Sequence, residues 1–255
     1  MASSSGPGKV ATRPEKDEYE LEDDFDIGTS VATCSATVRV GFIRKVYGIV
    51  SIQLLTTVVI SLCVMLSTIV RTFVLDSANT ILLSMFASFV VFFVLLKYKD
   101  RHPTNIYLLA VFTFAESYVV AWICAINYET GYGHCIATAF SLTLMIFSSL
   151  TVFCFVTKKD FSFLGGFLFA SIVALFCAGL FFGLATGYGG KIPPVLSFLY
   201  SFLGTIVFSA HILFDTSLLI HRLSPDDYIL AAVSIYLDVI NLFVHILRVS
   251  RQSDN

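Results

Sequence analysis

Charged side chains are scarce in this sequence: aspartate, glutamate, lysine and arginine together make up 13% of its 255 residues, about half the usual share in soluble domains. Hydrophobic residues account for 56%, and the mean hydropathy is +0.84. The net charge is −2, and no cluster of lysine and arginine suggests a nucleic-acid partner. This composition excludes a soluble domain and predicts an integral membrane protein whose main partner is the lipid bilayer.

The cysteines also lack the sequence spacing that is typical of metal ligands. None of the six stands in a CxxC pair, and four lie in apolar runs, where cysteine acts as a small hydrophobic residue. Cys124 and Cys135 lie near one connecting loop, but we expect neither a disulfide nor thiol chemistry. The sequence therefore predicts no resident cofactor.

Residues 1–38 form a polar stretch with an acidic run over residues 15–24. The stretch has no basic segment leading into an apolar core and a small-residue cleavage site, so we do not expect a cleavable signal peptide. Its apolar surface is too small to offset the entropy of ordering. We expect a disordered acidic tail, followed by a transmembrane domain over residues 39–255.

Apolar segments fill the rest of the chain, and each is long enough to cross about 30 Å of hydrocarbon at 1.5 Å per residue. The seven segments are 46–70, 78–96, 105–126, 136–156, 161–184, 194–220 and 228–247. The seventh is diluted by polar residues, so it could be re-entrant if lipid surrounded it, but it can span the membrane among other helices. The predicted fold is an all-α, seven-transmembrane-helix bundle.

Lysine and arginine are distributed unevenly between the two ends of these segments. Nine near-membrane cations fall on one side: Arg39, Arg44, Lys45, Lys97, Lys99, Arg101, Lys158, Lys159 and Arg222. Four fall on the other: Arg71, Lys191, Arg248 and Arg251. Because cationic flanks favour the cytoplasm, we expect a cytoplasmic N-terminus. The two C-terminal arginines leave the side of the C-terminus open.

Two aspartates, Asp215 and Asp238, lie inside the sixth and seventh apolar segments. A carboxylate at the centre of a bilayer helix costs roughly 2.5 to 3.5 kcal/mol and persists mainly where it faces a cavity or an ion path. An antiparallel hairpin turning at Pro225 places the two residues within about 4 to 5 Å of each other in depth. The two carboxyl groups can therefore meet.

If these carboxyl groups meet away from water, they cannot both stay ionised comfortably, and they should share a proton. Without that proton they offer hard oxygen ligands suited to transient Ca²⁺ binding. Competition between H⁺ and Ca²⁺ for Asp215 and Asp238 would then gate ion passage by pH. The alternative is that each aspartate separately caps or hydrogen-bonds a neighbouring helix.

Polar residues at helical spacing surround the two aspartates. His211 lies four residues before Asp215, on the same face of its segment. A polar stripe follows one face of the seventh segment: Ser234, Asp238, Asn241 and His245. The two histidines could tune the response to pH, or they could hydrogen-bond neighbouring helices.

Three charged residues outside this stripe are further candidates. Glu116 could line the same cavity or hydrogen-bond a neighbouring helix. Arg101, at the start of the third segment, could latch Asp215 by an ion pair or extend to the lipid headgroups. Asp226 opens the seventh segment, where an acid suits a helix N-terminus and could also gather cations.

Several motifs occur in this order along the chain: Glu22-Asp23-Asp24-Phe25, Arg44-Lys45-Val46-Tyr47, Pro103-Thr104-Asn105-Ile106-Tyr107-Leu108-Leu109, Phe112-Thr113, Lys158-Lys159-Asp160-Phe161, Phe214-Asp215-Thr216, His221-Arg222-Leu223-Ser224-Pro225-Asp226-Asp227-Tyr228 and Ser234-Ile235-Tyr236-Leu237-Asp238-Val239-Ile240-Asn241-Leu242-Phe243. Together they resemble the Lifeguard branch of the Bax-inhibitor family. The resemblance implies a bundle in which the seventh helix is central and the other six surround it. It further implies Ca²⁺ leak from Golgi or endoplasmic reticulum stores, suppression of apoptosis, a pH gate at Asp215 and Asp238, and an arginine latch near Arg101.

The function expected from the residues and the resemblance is a pH-regulated Ca²⁺ leak channel of Golgi or endoplasmic reticulum membranes, without enzymatic activity. A non-conducting regulator that acts on cell-death signalling through membrane-protein partners is the alternative. An intramembrane aspartyl protease also needs two aspartates, but Asp238 follows Tyr236-Leu237 and is not part of a GxGD sequence. A seven-helix receptor fits poorly with a cytoplasmic N-terminus.

Overall fold

The computed structural model describes residues 36–254, and all regular secondary structure in that range is helical. The eight α-helices are α1 (Ala36–Leu66), α2 (Thr68–Asp76), α3 (Ala78–Tyr98), α4 (Thr104–Glu129), α5 (Gly133–Thr157), α6 (Gly165–Gly187), α7 (Pro194–His221) and α8 (Tyr228–Ser253). Single 3₁₀ turns, Ser162–Leu164 and Pro225–Asp227, precede α6 and α8.

Seven of these helices, all except α2, are long and apolar enough to cross a membrane. This confirms the predicted all-α bundle with seven transmembrane helices. The first helix differs in its bounds from the predicted segment 46–70, because it begins at Ala36 and ends at Leu66. Ser67 then adopts an extended backbone, and its hydroxyl accepts a hydrogen bond from the Val70 N–H, which starts the short helix α2.

The predicted boundary between the tail and the transmembrane domain, at residue 38, therefore lies inside α1. Helix α1 includes the positively charged residues Arg39, Arg44 and Lys45 that precede the apolar run. The predicted acidic tail lies, up to residue 35, outside the described residues.

Helix α8 is the central element of the bundle. In its most apolar stretch 72% of the residues are buried, against at most 44% in the other spanning helices. It packs against α1, α4, α5 and α7. The seventh segment is thus one continuous helix enclosed by protein, as the resemblance implied, and the re-entrant alternative is wrong.

The expectation that six helices surround α8 requires a correction. Helix α3 packs mainly on α4, and α6 packs mainly on α7, so both form an outer layer. Only 6% of the most apolar stretch of α6 is buried. Because lipid is as apolar as these side chains, such a helix gains little by moving inward.

The α7–α8 hairpin is the most extensive helix pairing in the described bundle. Its turn is short, with Arg222 ending α7 and Pro225 opening the 3₁₀ turn before α8. The Ser224 hydroxyl accepts a hydrogen bond from the Asp226 N–H, 3.5 Å away. Because the turn is tight, the second half of α7 lies antiparallel to the first half of α8, and residues equally far from the turn face each other.

Candidate functional site

A cavity of about 470 Å³ lies between α6, α7 and α8. Helix α6 lines it with the apolar side chains of Ile172, Leu175 and Phe176, whereas α7 and α8 supply its polar lining. The polar residues from α8 recur every three or four positions, so they share one face of that helix. They are Ser234, Asp238, Asn241 and His245. The polar stripe predicted from the sequence therefore faces this cavity.

Asp215 from α7 and Asp238 from α8 both line the cavity, and their carboxyl groups are close enough to interact with each other. Asp238 is only 5% exposed. Its Oδ2 receives no hydrogen bond from an N–H or O–H group of the described residues. The structure thus brings the two predicted residues together at one cavity.

His211 and Asn241 also line the cavity, as predicted, but each is anchored to its own helix. Nδ1 of His211 lies 3.0 Å from the carbonyl oxygen of Val207, which requires a proton on Nδ1 because a carbonyl only accepts. The side-chain amide of Asn241 donates to the carbonyl of Leu237 at 2.9 Å. Both side chains are therefore fixed in place while they border the space beside the aspartates.

His245 lies in an aromatic setting within the same cavity. Its ring centroid is 5.3 Å from that of Tyr200 and 5.5 Å from that of Phe208. The guanidinium of Arg248 lies 5.9 Å from the centroid of the Tyr200 ring. The cavity thus extends along α8 from the carboxyl pair to a buried histidine near the C-terminal part of that helix.

Glu116 belongs to a different part of the bundle. It accepts a short hydrogen bond from the hydroxyl of Ser88, which joins α4 to α3. It is not among the described residues that line the cavity. Of the two roles open from the sequence, the structure favours the helix-helix hydrogen bond.

Arg101 is exposed, and its guanidinium lies 5.3 Å from the centroid of the Tyr98 ring. The lining of the cavity, within residues 36–254, does not include it. The structure therefore does not bring Arg101 and Asp215 together, and a latch between them stays a prediction.

Asp226 is exposed in the 3₁₀ turn that opens α8. The ion pair at this turn is made by the next residue, Asp227, whose Oδ1 accepts from Nζ of Lys99. That hydrogen bond raises the pKa of Lys99. Sequence analysis missed this pairing because the two partners are far apart in the chain and no local spacing relates them.

A second ion pair, between a loop and the end of a helix, was also missed. Arg222 donates to Asp160 through Nε at 3.0 Å and through a terminal nitrogen at 2.7 Å. Hydrogen bonding from the Ser162 backbone N–H and from Arg222 lowers the pKa of Asp160 to about 2. These contacts tie the loop between α5 and α6 to the end of α7, a short distance along the helix from Asp215.

A buried polar network joins α1, α4 and α8 on the opposite face of the central helix. The hydroxyl of Thr57 lies 2.9 Å from those of Ser117 and Tyr236, and the amide of Gln53 donates to Thr113 at 2.9 Å. The four-residue step from Gln53 to Thr57 was visible in the sequence. Because hydroxyl side chains in membrane helices often bond to their own backbone, that step alone did not indicate an interhelical network.

Comparison with known proteins places this bundle in a family. The family profile described as inhibitor of apoptosis-promoting Bax1 matches residues 39–255. The Golgi anti-apoptotic protein of Vaccinia virus (strain Lister) is 40% identical over 234 residues, covering 92% of this chain and 94% of the viral protein. Protein lifeguard 4 of Mus musculus is 38% identical over 240 residues, covering 93% and 95% of the two chains. Bax inhibitor 1 of Schizosaccharomyces pombe is 35% identical over 232 residues, covering 91% and 84%. The resemblance expected from the sequence motifs is confirmed, and this chain belongs to the Bax-inhibitor family.

Proposed function

We propose that this protein is a pH-regulated Ca²⁺ leak channel of intracellular membranes, which lowers the Ca²⁺ content of its store and thereby suppresses apoptosis. The single observation that carries the proposal is the contact between Asp215 and Asp238 in a cavity inside the membrane-spanning bundle. The family description and the name of the viral relative support the anti-apoptotic role, and the viral relative's name also supports a Golgi location. We place the N-terminus in the cytoplasm, because lysine and arginine are concentrated on that side.

The carboxyl pair can exist in two states with different affinities for cations. Two ionised carboxylates about 3 Å apart repel by about 5 kcal/mol at an effective dielectric constant of 20. A single shared proton removes that repulsion and leaves one net negative charge. Without the proton, the pair offers several oxygen ligands to Ca²⁺. Protons and Ca²⁺ therefore compete for the same two side chains, and pH sets how often a Ca²⁺ ion finds the site free.

The surrounding cavity supports passage as well as binding. Polar side chains line it along most of one face of α8, whereas α6 borders it with apolar side chains. Since α6 packs mainly on α7, it can shift without breaking the contacts that hold the central helix. Movement of this outer helix would open the polar stripe to water while the carboxyl pair stays in place.

The test is Ca²⁺ efflux from proteoliposomes measured across a pH series, with the wild-type protein, Asp215→Asn and Asp238→Asn in parallel. We expect efflux from wild-type vesicles to vary with pH and each asparagine variant to flatten that dependence, because an amide neither titrates nor offers a second carboxylate. Glu116→Gln is the matched control, since Glu116 is an intramembrane carboxyl that bonds to Ser88 at another helix interface.

Two results would count against the proposal. Efflux with unchanged pH dependence in both asparagine variants would remove the carboxyl pair from the mechanism. A wild-type protein that folds in vesicles but gives no efflux at any pH would favour the alternative, a non-conducting regulator that acts through membrane-protein partners.

A further inference from the structure

Three side chains with metal-binding atoms converge where the first turn of α5 meets the end of α8. They belong to His134, Cys135 and Asp254, and their ligand atoms all lie within 4.8 Å of one another. Nε2 of His134 is 2.9 Å from Oδ2 of Asp254 and 3.4 Å from Sγ of Cys135. Two parts of the chain that are distant in sequence thus place an imidazole, a thiol and a carboxylate around one point.

These separations are close to the edges of a tetrahedral metal site. With metal–sulfur bonds of about 2.3 Å and metal–nitrogen or metal–oxygen bonds of about 2.0 to 2.2 Å, tetrahedral angles place sulfur and nitrogen about 3.6 Å apart. Nitrogen and oxygen ligands are then about 3.4 Å apart. The observed 3.4 Å and 2.9 Å differ from these edges by about 0.5 Å or less. The third pair, Sγ of Cys135 and the carboxylate of Asp254, lies within 4.8 Å, where a tetrahedral site has an edge of about 3.6 Å.

The chemistry of the three ligands selects among metal ions. A thiolate and an imidazole favour Zn²⁺ and similar borderline ions, whereas Ca²⁺ and Mg²⁺ prefer sites made only of oxygen atoms. We propose that His134, Cys135 and Asp254 form a binding site for Zn²⁺ or a chemically similar divalent ion. Three protein ligands leave the fourth position of a tetrahedral ion to water.

The site is open to solvent on one side and closed on the other. The side chains of His134 and Asp254 are 61% and 46% exposed, so an ion can enter without unfolding, while Cys135 is buried against the protein. Arg251 is close enough to act electrostatically on Cys135, and its charge reduces the affinity for a dication. A bound ion would link the last turn of the central helix α8 to the start of α5, at the end of the bundle opposite the α7–α8 turn.

Cobalt is the most direct probe, because Co²⁺ occupies zinc sites and is coloured. The full-length protein in detergent is stripped of metal with a chelator and titrated with Co²⁺, then with Zn²⁺. We expect a near-ultraviolet band from thiolate-to-cobalt charge transfer, and its loss when Zn²⁺ displaces Co²⁺. Cys135→Ser should abolish that band, and Asp254→Asn should weaken Co²⁺ binding at least tenfold. Asp254→Asn separates ligand loss from misfolding, since Asp254 is half exposed at the end of its helix.

Cys154→Ser is the matched control. Cys154 is another buried cysteine of α5, and its thiol donates to the carbonyl of Leu213 at 3.4 Å, a bond that serine can also make. It should leave the cobalt spectrum unchanged. The proposal is overturned if the wild-type protein shows no charge-transfer band, or if the band survives in Cys135→Ser and Asp254→Asn binds Co²⁺ as the wild type does. In that case the contact between His134 and Asp254 is only a hydrogen bond. Neither result depends on Ca²⁺ efflux.

Discussion

The imidazole of His245 lies directly against the backbone of Gly204, at the interface between α8 and α7. A Cβ atom added at Gly204 would stand 2.2 Å from Nδ1 of His245, well inside van der Waals contact. The ring cannot easily move away, because the rings of Tyr200 and Phe208 border it. We therefore expect Gly204→Ala to destabilise the protein by about 1 to 3 kcal/mol through overpacking, measured by denaturant unfolding of the detergent-solubilised protein.

The control for this substitution is Gly183→Ala. Gly183 lies inside α6, and apart from its chain neighbours and the backbone of its own helix no heavy atom lies within 4 Å of an added Cβ, so alanine should be neutral or slightly stabilising there. Truncating the histidine should also relieve the clash, and the double variant Gly204→Ala/His245→Ala should then be less destabilised than the sum of the two single variants. Additive effects in the double variant would show that the clash is not the cause.

Thr57 joins three helices through its hydroxyl group, which lies 2.9 Å from the hydroxyls of Ser117 and Tyr236. Thr57→Val keeps the shape of the side chain but removes both interhelical hydrogen bonds. We expect a loss of about 1 to 2 kcal/mol in unfolding free energy. Thr56→Val is the control, because Thr56 is half-buried and its hydroxyl makes an exposed hydrogen bond to the Ile52 carbonyl of its own helix. Equal effects of the two substitutions would contradict a structural role for the network.

The seven helices and the Asp215–Asp238 contact could be predicted from the sequence for one physical reason. Both depend on local geometry, namely the length of apolar runs and the similar distance of two residues from a tight turn. The neighbours of Arg101 and Glu116 could not be predicted in the same way. Those neighbours depend on how each helix is rotated about its axis relative to the helices it packs against. The sequence does not predict that rotation, because lipid and protein are both apolar and the side of a helix that faces protein has no clear apolar periodicity.

The difference between Asp226 and Asp227 illustrates the same limit at the scale of one residue. Successive positions of a 3₁₀ turn point about 120° apart, so only one of two neighbouring aspartates can face a given partner. Asp227 faces Lys99 and Asp226 is exposed to solvent. The position of α3 decides which aspartate forms the ion pair, and that position is a property of the packed bundle.

Asp227→Asn should therefore destabilise the protein more than Asp226→Asn does. For this half-exposed pair we expect a difference of about 0.2 to 1 kcal/mol at low salt. Because the bond to Asp227 raises the pKa of Lys99, the contribution is fully present below the unfolded pKa of Lys99 and is lost as pH rises through the higher folded value. The measurement is the unfolding free energy of the two variants at a series of pH values from 7 to 11. A stability difference that persists unchanged at the highest pH would contradict the ion pair.

The Asp160–Arg222 pair should respond to pH in the opposite direction. Hydrogen bonds from the Ser162 N–H and from Arg222 lower the pKa of Asp160 to about 2. Its contribution to stability is therefore present above the unfolded pKa of about 3.8 and is lost as pH falls through about 2. We expect Asp160→Asn to be less stable than the wild type from pH 5 to pH 8 by a constant amount, and this difference in stability to disappear as the pH is lowered toward 2.

Arg222→Gln should show the same loss of the stability difference in acid, and the double variant should add little, because either substitution removes the same bond between the α5–α6 loop and α7. Thermal unfolding of the three variants at each pH is the measurement, and a gap that widens in acid would show that Asp160 is not held in its ionised form by these contacts.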